Sequence, residues 1–138
     1  MAYWLFKSEP EEFSWDDLVR AGKKGSEWTG VRNFTARNHM REMKAGDRGF
    51  YYHTGGEKAV VGIVEVVKEA HPDSTDDSGQ WDCVDIRAVE KLPKPVPLAA
   101  VKAEKNLADM VLVRLGRLSV QPVTAAEWKA VCRMGGLG

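Results

Sequence analysis

"RGFYYHTGGEKAVVGIVEVVKEA", residues 48–70, decides what kind of fold this chain can take. Two runs rich in β-branched and aromatic residues flank Gly55-Gly56. A glycine pair between such runs is a strong local signal of an antiparallel hairpin. In the long second run Val60, Gly62, Val64 and Val66 alternate with Val61, Ile63, Glu65 and Val67, which places the two sets on opposite faces of a strand. Gly62 brings no side chain to pack. It points to a bulge, or to another group lying close against the backbone.

Upstream of the hairpin, "AYWLF" (2–6) reads as a strand with Tyr3 and Leu5 on one side and Trp4 and Phe6 on the other. A strand apolar on both faces is expected to be central and covered. Ser14 is placed to cap a short helix over "WDDLVRAG", with Asp16 and Asp17 in the first turn, where the helix dipole favours acids. Gly22 and Gly25 stop it. Asn33 caps a second helix through "FTARNHMREM", with Phe34, Met40 and Met43 toward the core and Arg37 and Arg41 sharing a neighbouring face.

Downstream, "WDCVDIRAVEKL" (81–92) alternates as a strand, with Trp81, Cys83, Asp85 and Arg87 on one side, and "PKPVP" (93–97) reads as a stiff connector. Residues 98–116 read as two helical pieces and "RLSVQPV" (117–123) as a short extended run. "TAAE" (124–127) is a capping box opening a last helix that Gly135-Gly136 ends. The order predicts one α+β domain over residues 1–138, with a curled, mostly antiparallel sheet of about five or six strands and helices at its ends.

Twenty basic and twenty acidic residues give a formal net charge of zero, which argues against coating nucleic acid by bulk electrostatics. The charge is unevenly spread. Residues 20–48 hold eight Lys/Arg against three acids, and residues 65–90 hold eight acids against two bases. No apolar run approaches the roughly 20 residues of a membrane span, and "MAYWLFKSEP" lacks the features of a signal peptide. A cytoplasmic protein is expected. Cys83 and Cys132 read as unpaired thiols. His39, His53 and His71 fall in no ligand spacing, so no metal or cofactor is expected.

The sequence contains no nucleophile elbow, phosphate loop or dinucleotide fingerprint. Glu9, beside Glu11 and Glu12, and His53, beside Thr54, are the residues an enzyme acting on a nucleotide or small aromatic ligand would use. A protein-interaction adaptor is the other alternative. Aromatics do recur beside hydrogen-bonding groups: Trp4 with Lys7-Ser8, Trp28 with Arg32-Asn33, Tyr51-Tyr52 with His53-Thr54, and Trp81 with Asp82. Unstacked bases are held by such pairs, with rings on their faces and hydrogen bonds at their edges. Trp4 and Trp128 suit the core and Trp15 a helix contact. Trp28, in a Gly-rich polar loop, fits either packing or a site.

"YWLFKSEP", "WTGVRNFTARN", "MKAGDRGFYYHT", "VVGIVEVVKEAHPD", "WDCVDIRAV" and "VRLGRLSVQPVT" occur in this order over nearly the whole chain. Together they resemble the EVE domain family. The resemblance implies a PUA-like pseudo-barrel with flanking helices, similar to the YTH domains that hold a methylated adenine in an aromatic cage. It implies a non-catalytic pocket for a modified base, methylated or hydroxymethylated, in DNA or RNA. The base would be single-stranded or flipped, and the protein a monomer. Carried onto this chain, Trp28 would be a cage wall, with Gly30, Val31, Arg32 and Asn33 beside it. Lys7, Ser8, His53 and Thr54 would line the mouth, and Trp81 would form a second wall. Arg37, Arg41, Arg117, Ser119 and Gln121 would follow the nucleic-acid backbone. Only "STDDSGQ" separates Asp73 from Trp81, a shorter insertion than many members of the family carry.

Overall fold

In the computed structural model, which describes residues 1–137, the hairpin of residues 48–70 forms the middle of a six-stranded sheet. The elements in chain order are β1 (Tyr3–Ser8), α1 (Trp15–Arg20), β2 (Ser26–Glu27), α2 (Phe34–Glu42), β3 (Arg48–His53), β4 (Ala59–Pro72) and β5 (Asp82–Pro97). Then come α3 (Leu98–Ala103), α4 (Val111–Arg114), β6 (Val120–Val123) and α5 (Ala125–Met134). The sheet order is β2-β5-β4-β3-β1-β6, and it stays open, with β2 and β6 at its edges. β1 runs parallel to β3 and the other neighbours are antiparallel. This is the expected α+β architecture. Among the described residues no helix is long and apolar enough to cross a membrane.

Helices cover the sheet on both faces, so there are two apolar clusters. Trp4, Phe6, Trp28, Tyr51, Val64 and Ile86 pack with α1 and α2 on one side. Leu5, Phe50, Tyr52, Val60 and Ile63 pack with α3, α4 and α5 on the other. β1 feeds both, which is why it is apolar at every position from Tyr3 to Phe6. Trp128 lies in the second cluster, stacked 4.4 Å from the Tyr3 ring and 4.0 Å from that of Phe50.

The alternation expected along β4 is broken at Val61. Tyr51 pairs with Gly62 but Tyr52 pairs with Val60, so one residue is bulged out of register. A one-residue slip exchanges the faces. Val60 therefore joins the second cluster while Val64 and Val66 stay in the first. Gly62 is also the site of a close approach. A Cβ there would lie 2.4 Å from the Trp15 ring, so the indole of α1 rests directly on the strand backbone.

Three expectations are corrected. Phe34 does not face the core: it is exposed at the first turn of α2, whose buried residues are Ala36 and Met40. "PKPVP" is no connector but the end of β5, carried past the last turn of α5 with Leu92 and Val96 buried. Residues 98–116 form three short pieces, because a 3-10 turn at Lys105–Leu107 separates α3 from α4. The Ser14 and Asn33 caps and the capping box at Thr124 form as the sequence reading expects, and at Ser14 the Asp17 side chain completes a capping box as well.

Candidate functional site

The C-terminal end of β1, the loop after it, the β2–α2 connection, the turn after β3 and the approach to β6 meet around one open cleft of about 830 Å³. That is within the roughly 300–1,000 Å³ of small-molecule sites. Of the residues singled out from the sequence, Lys7, Ser8, Trp28, Gly30, Val31, Arg32, Thr54, Arg117 and Ser119 line it. The lining holds three cations (Lys7, Arg32, Arg117) and three carboxylates (Glu9, Glu12, Glu27). An evenly balanced rim of this kind suits a polar, uncharged ligand better than a bare polyanion.

The rims are fixed by the sheet and its connections. Lys7 N–H donates to Ser119 O at 2.9 Å, joining the two ends of the chain, and Thr54 N–H donates to Ser8 O at 2.9 Å. The half-buried Lys7 ammonium donates to the Gly116 carbonyl and lies 5.5 Å from the Tyr52 ring centroid. Its burial lowers its pKa. Ser8 Oγ donates to Phe13 O at 2.6 Å, so toward a ligand the hydroxyl is an acceptor.

Trp28 is packed rather than free-standing. It is 9% exposed, with Phe6 and Tyr51 edge-on to it at centroid distances of 5.7 and 5.6 Å. Its backbone N–H donates to Val84 O at 2.8 Å, extending the β2–β5 pairing by one residue. The Gly-rich polar loop around it offers few apolar neighbours in sequence; the sheet supplies them. Trp28 is thus both part of the core and part of the cleft floor.

The segment after it hangs on Asp73. This carboxylate, buried at the end of β4, accepts from Gly30 N–H at 2.9 Å, from Arg32 Nη1 at 3.1 Å and from Thr75 N–H and Oγ1 at 2.7 and 2.6 Å. Burial alone would raise its pKa. The hydrogen bonds from Thr75, Gly30 and Arg32 outweigh that and hold it at about 2. Gly30 sits at φ +83, a conformation that favours glycine.

The remaining expected residues lie elsewhere. Asn33 Oδ1 accepts from Ala36 N–H at 2.9 Å as the α2 cap, and the residue borders a smaller adjoining groove with Thr35, Leu115 and Leu118. His53 is buried behind the cleft. Its Nε2 accepts from Trp15 N–H at 3.0 Å and its Nδ1 lies 2.7 Å from Glu57, so its carboxylate partner is Glu57 and not Glu9. Gln121 is fully buried and donates to Leu118 O at 2.8 Å, too deep to meet a nucleic-acid backbone.

Trp81 does not face Trp28 across the cleft. It stacks on exposed Phe34 at 4.9 Å, with Arg32 and Arg37 each 5.7 Å from its ring centroid. Arg37 also donates to Gln80 O at 3.0 Å, and Arg41 pairs with Asp82 at 2.6 Å. Arg37 thus fastens α2 to the short 74–80 loop and Arg41 fastens it to the start of β5.

Sequence reasoning missed Glu12, Phe13, Ser26, Glu27, Thr29 and Gly116 as lining residues, and Asp73 as the anchor of the loop. Most lie on connections whose side chains carry no motif. Asp73 offered one faint signal, an acid directly after Pro72 at the end of a strand.

A family model described as "EVE domain" matches residues 2–134. Human thymocyte nuclear protein 1 is 35% identical over 162 aligned residues, covering 94% of this chain and 72% of that protein. A crystal structure of an Agrobacterium tumefaciens protein superposes with a TM-score of 0.97 at 57% identity, covering 99% of this chain and 94% of the other. The human THYN1 protein in complex with 5-methylcytosine containing DNA superposes with a TM-score of 0.93 at 34% identity, covering 99% and 98%. The YTH domain of a Zygosaccharomyces rouxii protein, in complex with N6-methyladenosine RNA, shares the fold with a TM-score of 0.61 at 14% identity, covering 96% and 83%.

Proposed function

The chain belongs to the EVE domain family, and we propose that it is a nucleic-acid-binding module whose cleft receives one modified base, without chemistry on it. The observation that carries this reading is the cleft itself. It has an indole in its floor, hydroxyl and backbone groups on its walls, and balanced charge around its rim. A base drawn from the stack needs such surroundings: an aromatic contact for its face, hydrogen-bonding groups for its edge and no strong field. A relative covering 98% of its own length against this chain is in complex with 5-methylcytosine containing DNA, which favours a methylated or hydroxymethylated cytosine. In this reading Arg117, on the cleft lining, meets a flanking phosphate.

The test is binding of oligonucleotides carrying cytosine, 5-methylcytosine or 5-hydroxymethylcytosine, single-stranded and duplex, at two salt concentrations. The reading expects tighter binding of a modified strand, with a preference that survives the higher salt. Phosphate contacts weaken with salt in every sequence alike, whereas base contacts do not. Equal affinity for modified and unmodified strands would overturn it.

A further inference from the structure

Three adjacent strands bring together ligand atoms that lie far apart in sequence. His71 on β4 is the register partner of Cys83 on β5, and Glu27 on β2 is the partner of Asp85, two residues further along β5 and on the same face as Cys83. The Cys83 sulfur lies 3.6 Å from Glu27 Oε1, and 3.7 and 3.9 Å from His71 Nε2 and Nδ1. One donor atom from each of the three residues falls within 4.8 Å of the others. A tetrahedral zinc ion, with bonds of about 2.3 Å to sulfur and about 2.0–2.1 Å to nitrogen, holds those two donors about 3.6 Å apart. The strands already set nearly that spacing.

The surroundings favour a cation. His71 Nε2 is 2.7 Å from Asp85 Oδ1, which leaves Nδ1 to face the ion while Asp85 fixes the ring and its tautomer. Among the described residues no Lys or Arg pairs with Glu27 or Asp85. The segment 65–90 around them carries eight acids against two bases. A thiol, an imidazole and a carboxylate together suit zinc-like ions and not magnesium or calcium, which take oxygen. Water or the Pro72 carbonyl, 3.2 Å from His71 Nδ1, can fill the fourth position.

We propose that Cys83, His71 and Glu27 form a zinc site, with Asp85 as the positioning residue behind His71. The site does not depend on the base-binding reading, but it shares Glu27 with the cleft lining. Glu27 directly precedes Trp28, and His71 is two residues from Asp73, which holds Gly30 and Arg32. A bound ion therefore ties together the two strands that carry the cleft loop.

The test uses the whole chain, stripped of metal and titrated with zinc, and with cobalt(II) as a spectroscopic probe. The site predicts one equivalent per chain, a thiolate-to-cobalt charge-transfer band, and a higher Tm with zinc. Cys83→Ser and His71→Ala remove the band, while Cys132→Ser keeps it. Asp85→Asn weakens binding by about 10–100-fold without removing it. Glu27 is exposed, so Glu27→Gln leaves the core alone and still lowers zinc affinity. The site is wrong if no saturable binding occurs at one equivalent, if the band survives Cys83→Ser, or if Glu27→Gln binds zinc unchanged.

Discussion

Asp73 accepts the backbone N–H of Gly30 at 2.9 Å across 43 residues of chain, and the same carboxylate oxygen takes Arg32 at 3.1 Å. One buried acid at the end of β4 thus sets the path of the loop that follows Trp28. Asp73→Asn keeps the shape but loses the charge and turns one acceptor into a donor. The expected cost is about 1–3 kcal/mol, as for a buried charge-assisted bond. A lower denaturation midpoint at unchanged m-value, with faster amide exchange at Gly30, checks it.

Acid should release the same anchor. The folded pKa of Asp73 is depressed, from 3.8 to about 2. Its stabilisation is therefore complete above the unfolded value near 3.8 and is lost as pH falls through about 2. The span is worth about 2 kcal/mol. A stability profile between pH 5 and about 2 should lose that much more in the wild type than in Asp73→Asn, where the group cannot titrate.

Trp28→Ala removes a core ring wedged against Phe6 and Tyr51, so we expect a loss of about 3–5 kcal/mol in stability. That variant confounds folding with binding. Trp28→Phe keeps an aromatic in the core at a smaller cost. If the indole contacts the ligand, Trp28→Phe lowers affinity for the modified strand more than for the unmodified one. An equal loss for both would assign Trp28 to packing alone.

Gly62→Ala should cost about 1–3 kcal/mol by overpacking, because the new methyl meets the Trp15 ring. The same change in a Trp15→Leu background should cost less. A double-mutant cycle that shows no coupling would refute the contact.

Arg117 sits exposed on the rim and makes no ion pair with a described residue. Arg117→Gln should weaken binding of modified and unmodified strands alike and reduce the salt slope by about 1. Ser119→Ala, beside it on the rim, should leave that slope unchanged.

Much of the fold was legible because local chemistry and tertiary packing agree. The Gly55-Gly56 hairpin, the Ser14, Asn33 and Thr124 caps and the two-faced β1 all follow from residues close in sequence. What misled were positions decided by partners far along the chain. Val60 changes face because of a bulge that no pattern of valines announces. Phe34 looks like core but stacks on Trp81, and "PKPVP" joins β5 because Val96 and Pro97 pair with Val60 and Ala59 of β4 while its prolines stay exposed. The site divides in the same way. Lys7, Ser8 and Thr54 could be found as polar groups following strands. Asp73 and the meeting of Glu27, His71 and Cys83 depend on strand register, which composition does not encode.

β1 lies between β3 and β6, so the first strand of the chain is flanked by one of the last elements to be made. The cleft inherits this separation, since Lys7 stands on one rim and Arg117 and Ser119 on the other. A growing chain on the ribosome can complete the hairpin and the first two helices and still have no cleft. Closing that rim spans more than a hundred residues, the kind of long-range contact that slows folding. A product truncated before residue 117 would lack Arg117 and Ser119, and with them the second rim of the cleft.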